Sequence, residues 1–203
     1  MVKVDVSHRM LEHFIGKRLT RDELEELLFT LGYELENVDG DLWTVDITAD
    51  RPDLISAAGL GRLLKAYLGI APGLRNYTVK KSDYHILINP NVQHIRPYTV
   101  AAVVKGLQLT EDSLKELIRI QEKLHATFGR QRKKVAIGIY PLDNIAWPIS
   151  YFAEDPKKVK FVPLDFDRTL RADEILEQHP TGATYKHLLQ DAQQYPFFMD
   201  AKK

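Results

Sequence analysis

Apolar residues recur at helical spacing near the start of the chain and then switch to a period of two. Met10, Leu11, Phe14 and Ile15 share one helical face behind Ser7, a residue type that caps helix N-termini, and Gly16 closes the run. Thr20 followed by Glu23 spells a capping box, after which Leu24, Leu27, Leu28 and Leu31 recur at helical spacing up to Gly32. "YELENVDGDLWTVDIT" alternates instead, with Trp43, Val45 and Ile47 in step, and predicts a β-hairpin about Asp39-Gly40. "ADRPDL" breaks the strand, and Ile55 to Leu68 returns as a helix ending at Gly69. Helix, helix, hairpin, helix makes a small α+β module over residues 1–75.

"GIAPGLRNYTVKKSDY" then brings Pro, two glycines and polar residues, and residues 76–85 read as a linker. The texture changes beyond it, and residues 86–203 read as a larger mixed α/β domain. Ile86 to Ile88 and Val100 to Val104 are strand-like, and "IRPYTVAAVV" is too continuously apolar to face water on either side. Thr110 starts a helix with Glu111 and Asp112 in its first turn, where acidic groups suit the dipole. Leu114, Leu117, Ile118, Gln121, Leu124 and Phe128 trace its expected inner stripe. Gln121 interrupts that stripe, and a buried amide costs free energy unless it finds partners. Two readings follow: a core-edge glutamine bonded to backbone, or a polar group lining a pocket. Val135 to Tyr140 is expected as a buried strand, and Ser150 to Ala153 and Lys160 to Val162 as shorter ones. Helices are expected at Leu170 to Gln178 and Thr184 to Gln190, separated by "HPTG". The apolar "YPFFMDAKK" reads as a strand that needs a partner. The fold class is α+β.

Charge and composition narrow the function. The 203 residues carry 28 basic and 28 acidic side chains, so no global field draws the chain to nucleic acid or membrane, and any such contact must be a local patch. The absence of cysteine excludes disulfides, thiolate nucleophiles and cysteine-ligated zinc. "MVKVDVSHRM" lacks the apolar centre of a signal peptide, and no apolar run approaches the roughly 18 residues of a membrane span. A cytoplasmic protein without membrane association is therefore expected. No phosphate-binding glycine loop, nucleophile elbow or H-E-x-x-H helix is present, and His8 and His13 have the wrong spacing for one helical face. No metal site is expected, and no catalytic residue can be named. What stands out is a cationic lip, "GRQRKKVAIGIY", in which Arg130, Arg132, Lys133 and Lys134 fall within five residues. Arg119 and Lys123, one turn apart on the preceding helix, are placed to extend it. A solvated connector and a phosphate-holding patch both fit that pattern.

The segments "VDVSHRMLEHFIGKRLTRDELEELLFTLGYELENVDGD", "DRPDLISAAGLGRLLKAYLGI", "IRPYTVAAVVKGL", "IQEKLHATFGRQRKKVAIGIYPLDNI" and "HPTGATYKHLLQDAQQYPFFMDA" resemble, in order, the N-terminal part of phenylalanine–tRNA ligase β subunits of the archaeal and eukaryotic type. The likeness runs from residue 2 to about residue 201. It implies a β subunit that joins an α subunit in an (αβ)₂ assembly, with ATP and Mg2+ serving the complete enzyme and no cofactor held by this chain. It also implies that tRNA(Phe) is a partner. Residues 86–203 would form most of an editing domain that hydrolyses tyrosine wrongly attached to tRNA(Phe), truncated before the family's further strands.

Such editing has a physical basis. An apolar phenylalanine pocket cannot strongly reject an isostere bearing one more hydroxyl, so a second pocket built differently must remove the errors. Hydrolysing an activated ester needs chiefly a placed water and stabilisation of the developing oxyanion, so the lack of a protein nucleophile is no obstacle. The resemblance places Gln121 and Arg132 among the polar residues of the editing pocket and Phe198 on its apolar wall. Arg132 would hold the tRNA 3′ end or the ester, Gln121 would orient the aminoacyl group, and Phe198 would pack the aromatic ring. Arg130, Lys133 and Lys134 are tRNA-contact candidates. The competing reading is a non-catalytic module that docks tRNA or assembles subunits.

Overall fold

The computed structural model describes residues 2–202, and its contacts divide the chain into two units. The first takes the residues up to Thr78 together with Leu107–Gly138. The second takes Val79–Gly106 and the residues from Ile139 onward.

In the first unit the elements are β1 (Val2–Ser7), α1 (His8–Ile15), α2 (Arg21–Thr30), β2 (Glu34–Asp39), β3 (Leu42–Ile47), α3 (Ala57–Tyr67) and α4 (Glu111–Ala126). The caps form as the sequence predicts. Ser7 Oγ accepts from the Met10 amide, Gly16 closes α1 at φ 80°, and Thr20 and Glu23 satisfy each other's backbone. The first strand has no counterpart among the elements expected from sequence, although Val2, Val4 and Val6 alternate. It pairs antiparallel with β3, which also pairs with β2, giving the order β1-β3-β2. The pairing of Asp39 with Leu42 makes Gly40-Asp41 the two-residue turn, one residue beyond the predicted position. Val4, Val6, Val45 and Ile47 from the sheet pack with Leu11, Ile15, Leu24, Leu28, Leu60 and Leu64 from the helices. Each such side chain stabilises by about 1.5–3 kcal/mol relative to exposure.

The buried face of α4 is not the predicted one. Leu114, Ile118 and Phe128 are exposed, while Glu116 and His125 are buried and Leu124 packs against the first core. The reason is a long-range cap. Glu116 Oε1 accepts from the Ala57 amide at 2.6 Å and the Ala58 amide at 3.4 Å, and Ser56 Oγ accepts from Gly59 at 3.1 Å. Leu60 makes the first intrahelical bond, to Ser56. The donors that open α3 are thereby all satisfied, and a carboxylate at the positive helix end fixes the rotation of α4.

The second unit contains β4 (Ile86–Ile88), β5 (Ile149–Glu154), β6 (Lys160–Phe161), β7 (Leu170–Arg171), α5 (Ala172–Gln178), α6 (Pro180–Tyr185) and β8 (Tyr195–Met199). The main sheet has β5 in the centre, parallel to β4 and antiparallel to β8, so the C-terminal apolar segment finds its partner in β5. Tyr151 is buried and donates its hydroxyl to the Arg96 carbonyl at 2.6 Å. Asn91 replaces a strand neighbour for Ala153, accepting from its amide and donating to its carbonyl.

Three expectations are corrected. Val100 to Val104 forms no strand; Val100 is 97% exposed, and no described strand offers this backbone a ladder. Val135 to Tyr140 is neither buried nor a strand, because the backbone of Ile137 is engaged by side chains of α4. The last helix is α6, which begins inside "HPTG" with Pro180 in its first turn, where a missing N–H costs nothing. Residues 186–188 continue it only as a 3-10 turn. No helix of the described residues is long and apolar enough to cross a membrane.

Candidate functional site

The cationic lip is a strained turn. Arg130, Gln131 and Arg132 follow one another at φ 50°, 55° and 64°, all left-handed and none of them glycine. Each such residue costs about 1–2 kcal/mol for an L-amino acid. Consecutive strain of this kind persists only where the surroundings over-determine it, and it concentrates at functional sites.

The surroundings do over-determine it. Gly129 donates to Leu124 at 2.7 Å, and Lys134 closes the turn by donating back to the Gly129 carbonyl at 2.8 Å. Gly129 has to be glycine, since a Cβ there would stand 2.6 Å from the Val135 carbonyl oxygen and 2.8 Å from that of His125. The Arg132 amide donates to the His125 carbonyl at 3.3 Å. Its guanidinium Nη2 donates to Glu122 Oε1 at 3.0 Å, with the side chain 24% exposed. His125 is 2% exposed; its Nε2 accepts from the Ile137 amide at 2.7 Å, and its Nδ1 lies 3.3 Å from Glu122 Oε1. Gln121 Nε2 donates to the Ile137 carbonyl at 3.0 Å.

Gln121 and Arg132 thus belong to one hydrogen-bonded assembly, linked through Glu122, His125 and Ile137. Gln121 bonds to backbone, as the first of its two readings has it. Arg130, Lys133 and Lys134 are exposed around the turn, and Lys134 Nζ sits 5.1 Å from the Phe128 ring centre. Arg119 and Lys123 are engaged away from the turn, Arg119 at 4.0 Å from Glu116 and Lys123 at 3.4 Å from the Lys3 carbonyl. Phe198 lies on β8 in the second unit, stacked on its cross-strand partner Tyr151 at 4.4 Å and still 57% exposed. Glu122 and His125 escaped the sequence reading. The signal available was His125 four residues after Gln121, which puts both on one helical face. Among the described residues no group of three or more His, Asp or Glu side chains is close enough to hold a metal ion.

Residues 1–70 match the family described as the Phe-tRNA synthetase beta subunit B1 domain. The whole chain is 40% identical to the phenylalanine–tRNA ligase beta subunit of Thermococcus sibiricus and 43% identical to that of Pyrococcus horikoshii, covering 37% of each. It also superposes on the crystal structure of an N-terminal fragment of the phenylalanyl-tRNA synthetase beta-subunit from Pyrococcus horikoshii. The TM-score is 0.91 at 42% identity, over 99% of this chain and 59% of that one. The chain belongs to the phenylalanine–tRNA ligase β-subunit family. It spans little more than a third of the curated relatives' length.

Proposed function

We propose that this chain acts as the N-terminal part of a phenylalanine–tRNA ligase β subunit and contributes an editing site that hydrolyses Tyr-tRNA(Phe). The observation that carries the proposal is the left-handed Arg130–Arg132 turn beside Gln121, a costly arrangement of cations and an amide in a chain matched end to end by β subunits. In this reading Arg132 grips the 3′ end of tRNA(Phe) or the ester. Gln121 orients the aminoacyl group, and Arg130, Lys133 and Lys134 meet phosphates. Attack is by water, with no covalent intermediate on the protein. The α subunit completes the ligase in an (αβ)₂ assembly, and ATP and Mg2+ act in the complete enzyme.

One observation favours a second reading. Glu122 already engages Arg132, and Ile137 already engages Gln121, so the assembly is also suited to hold a non-catalytic tRNA-docking or subunit-assembly surface in shape. Incubating the chain with Tyr-tRNA(Phe) and Phe-tRNA(Phe) separates the two. Selective release of tyrosine, abolished by Arg132→Ala, is the expected result. Binding of both without release of either supports docking alone.

A further inference from the structure

We infer that Glu122 and His125 are positioning residues of the candidate site, presetting the Arg132 guanidinium and the Gln121 amide; the inference rests on the editing reading above. Neither touches the proposed substrate. They act through a short relay whose members are all at hydrogen-bonding or near-bonding distance.

The relay follows from donor and acceptor chemistry. A backbone N–H can only donate, so the 2.7 Å contact from Ile137 makes His125 Nε2 an acceptor. The imidazole proton then sits on Nδ1, facing Glu122 Oε1 at 3.3 Å. That same carboxylate oxygen accepts from Arg132 Nη2 at 3.0 Å. Ile137, fixed at its amide by His125, presents its carbonyl to Gln121 Nε2 at 3.0 Å. One carboxylate and one imidazole thus set the headings of both polar groups of the site. The backbone adds its own tie, the Arg132 amide donating to the His125 carbonyl at 3.3 Å. An acidic residue beside an anion-binding arginine weakens the local field. Its presence makes sense as an orienter, since a guanidinium held in one geometry loses less freedom when it grips a ligand.

The burial of His125 supports the same assignment. At 2% exposure it cannot meet a tRNA, and Glu122, though half exposed, places one carboxylate oxygen against both His125 and Arg132. Sequence spacing puts Gln121 and His125 on one face of α4, with Glu122 three residues before His125 and beside it. A single helix therefore delivers the whole apparatus to the turn that follows it.

The test uses the 203-residue chain and a non-hydrolysable probe, tyrosine joined by an amide to 3′-amino-3′-deoxyadenosine. Arg132→Ala comes first: if it leaves probe binding unchanged, the editing reading itself fails, and the inference with it. If Arg132→Ala weakens binding, Glu122→Ala should weaken it by about tenfold and add almost nothing in the Arg132→Ala background, since positioning residues couple. An equal loss in both backgrounds would mean a merely structural role and would overturn the inference while leaving the editing reading intact. His125→Gln keeps an acceptor near the Nε2 position for Ile137 and should bind within about threefold of the parent, whereas His125→Leu should not. Should the Leu or Ala variants fail to fold, Glu122→Gln, which removes the charge facing Arg132, takes the place of Glu122→Ala in the same two-background comparison. Full binding by both His125→Leu and Glu122→Ala would overturn the inference.

Discussion

Glu116→Ala is the most informative perturbation of the platform that carries the site. The carboxylate is 3% exposed, so desolvation opposes it, and its two backbone donors and the positive end of α3 must offset that penalty. Alanine would remove a charge-assisted hydrogen bond of about 1.5–3 kcal/mol and leave the buried Ala57 amide without an acceptor. A loss of about 3 kcal/mol in unfolding free energy is expected. Glu116→Gln keeps an oxygen to accept from Ala57 and forfeits mainly the charge–dipole contribution, about 1 kcal/mol. Urea titration of the three proteins measures both differences, and hydrogen exchange at Ala57 reports whether the cap itself has opened. If alanine costs less than about 1 kcal/mol, or glutamine costs as much as alanine, the cap is not what docks α4 on α3.

Gly129→Ala should destabilise by about 1–3 kcal/mol and displace the left-handed turn, because its Cβ would meet two carbonyl oxygens well inside contact distance. Urea titration alongside binding of the tyrosyl-amide probe checks both effects. The Arg51 guanidinium beside Asp53 holds that carboxyl below the ordinary aspartate range, against the opposing effect of burial. A depressed value makes its contribution complete above the unfolded-state value and lost as pH falls through the lowered one. Asp53→Asn should therefore flatten the fall of the urea midpoint in acid relative to the parent, while costing stability near neutrality.

Local signals were the legible part of the fold. Ser7, Gly16, Thr20 with Glu23, and Thr110 act within four residues of themselves, so the chain spells them out directly. The strand Val2–Ser7 was legible too, in the alternation of its valines, but it is short and runs straight into a helix cap. Apolar runs were less trustworthy guides. Val100–Val104 and Val135–Tyr140 demand burial by composition, yet a strand also needs a neighbour with free backbone groups, which composition does not encode. The face of α4 depended on Glu116 meeting an amide 59 positions away. No periodicity within the helix could reveal that contact. For the site, the cluster of cations was visible, but the left-handed backbone beneath it was not, since Arg and Gln carry no preference for that conformation. Gln121 was visible as an exception on an apolar stripe. Glu122 and His125, which engage Arg132 and Ile137, read as ordinary helix surface until the turn folded back on them.

The central claim is that the strained basic turn and Gln121 receive the aminoacylated end of tRNA(Phe). A tRNA(Phe) bearing benzoylphenylalanine, amide-linked at its 3′ terminus, can be photocrosslinked to the chain and the adducts located by mass spectrometry. The account predicts adducts within residues 121–134, competed away by Tyr-tRNA(Phe). Adducts confined to residues 1–70, or scattered without competition, would contradict it.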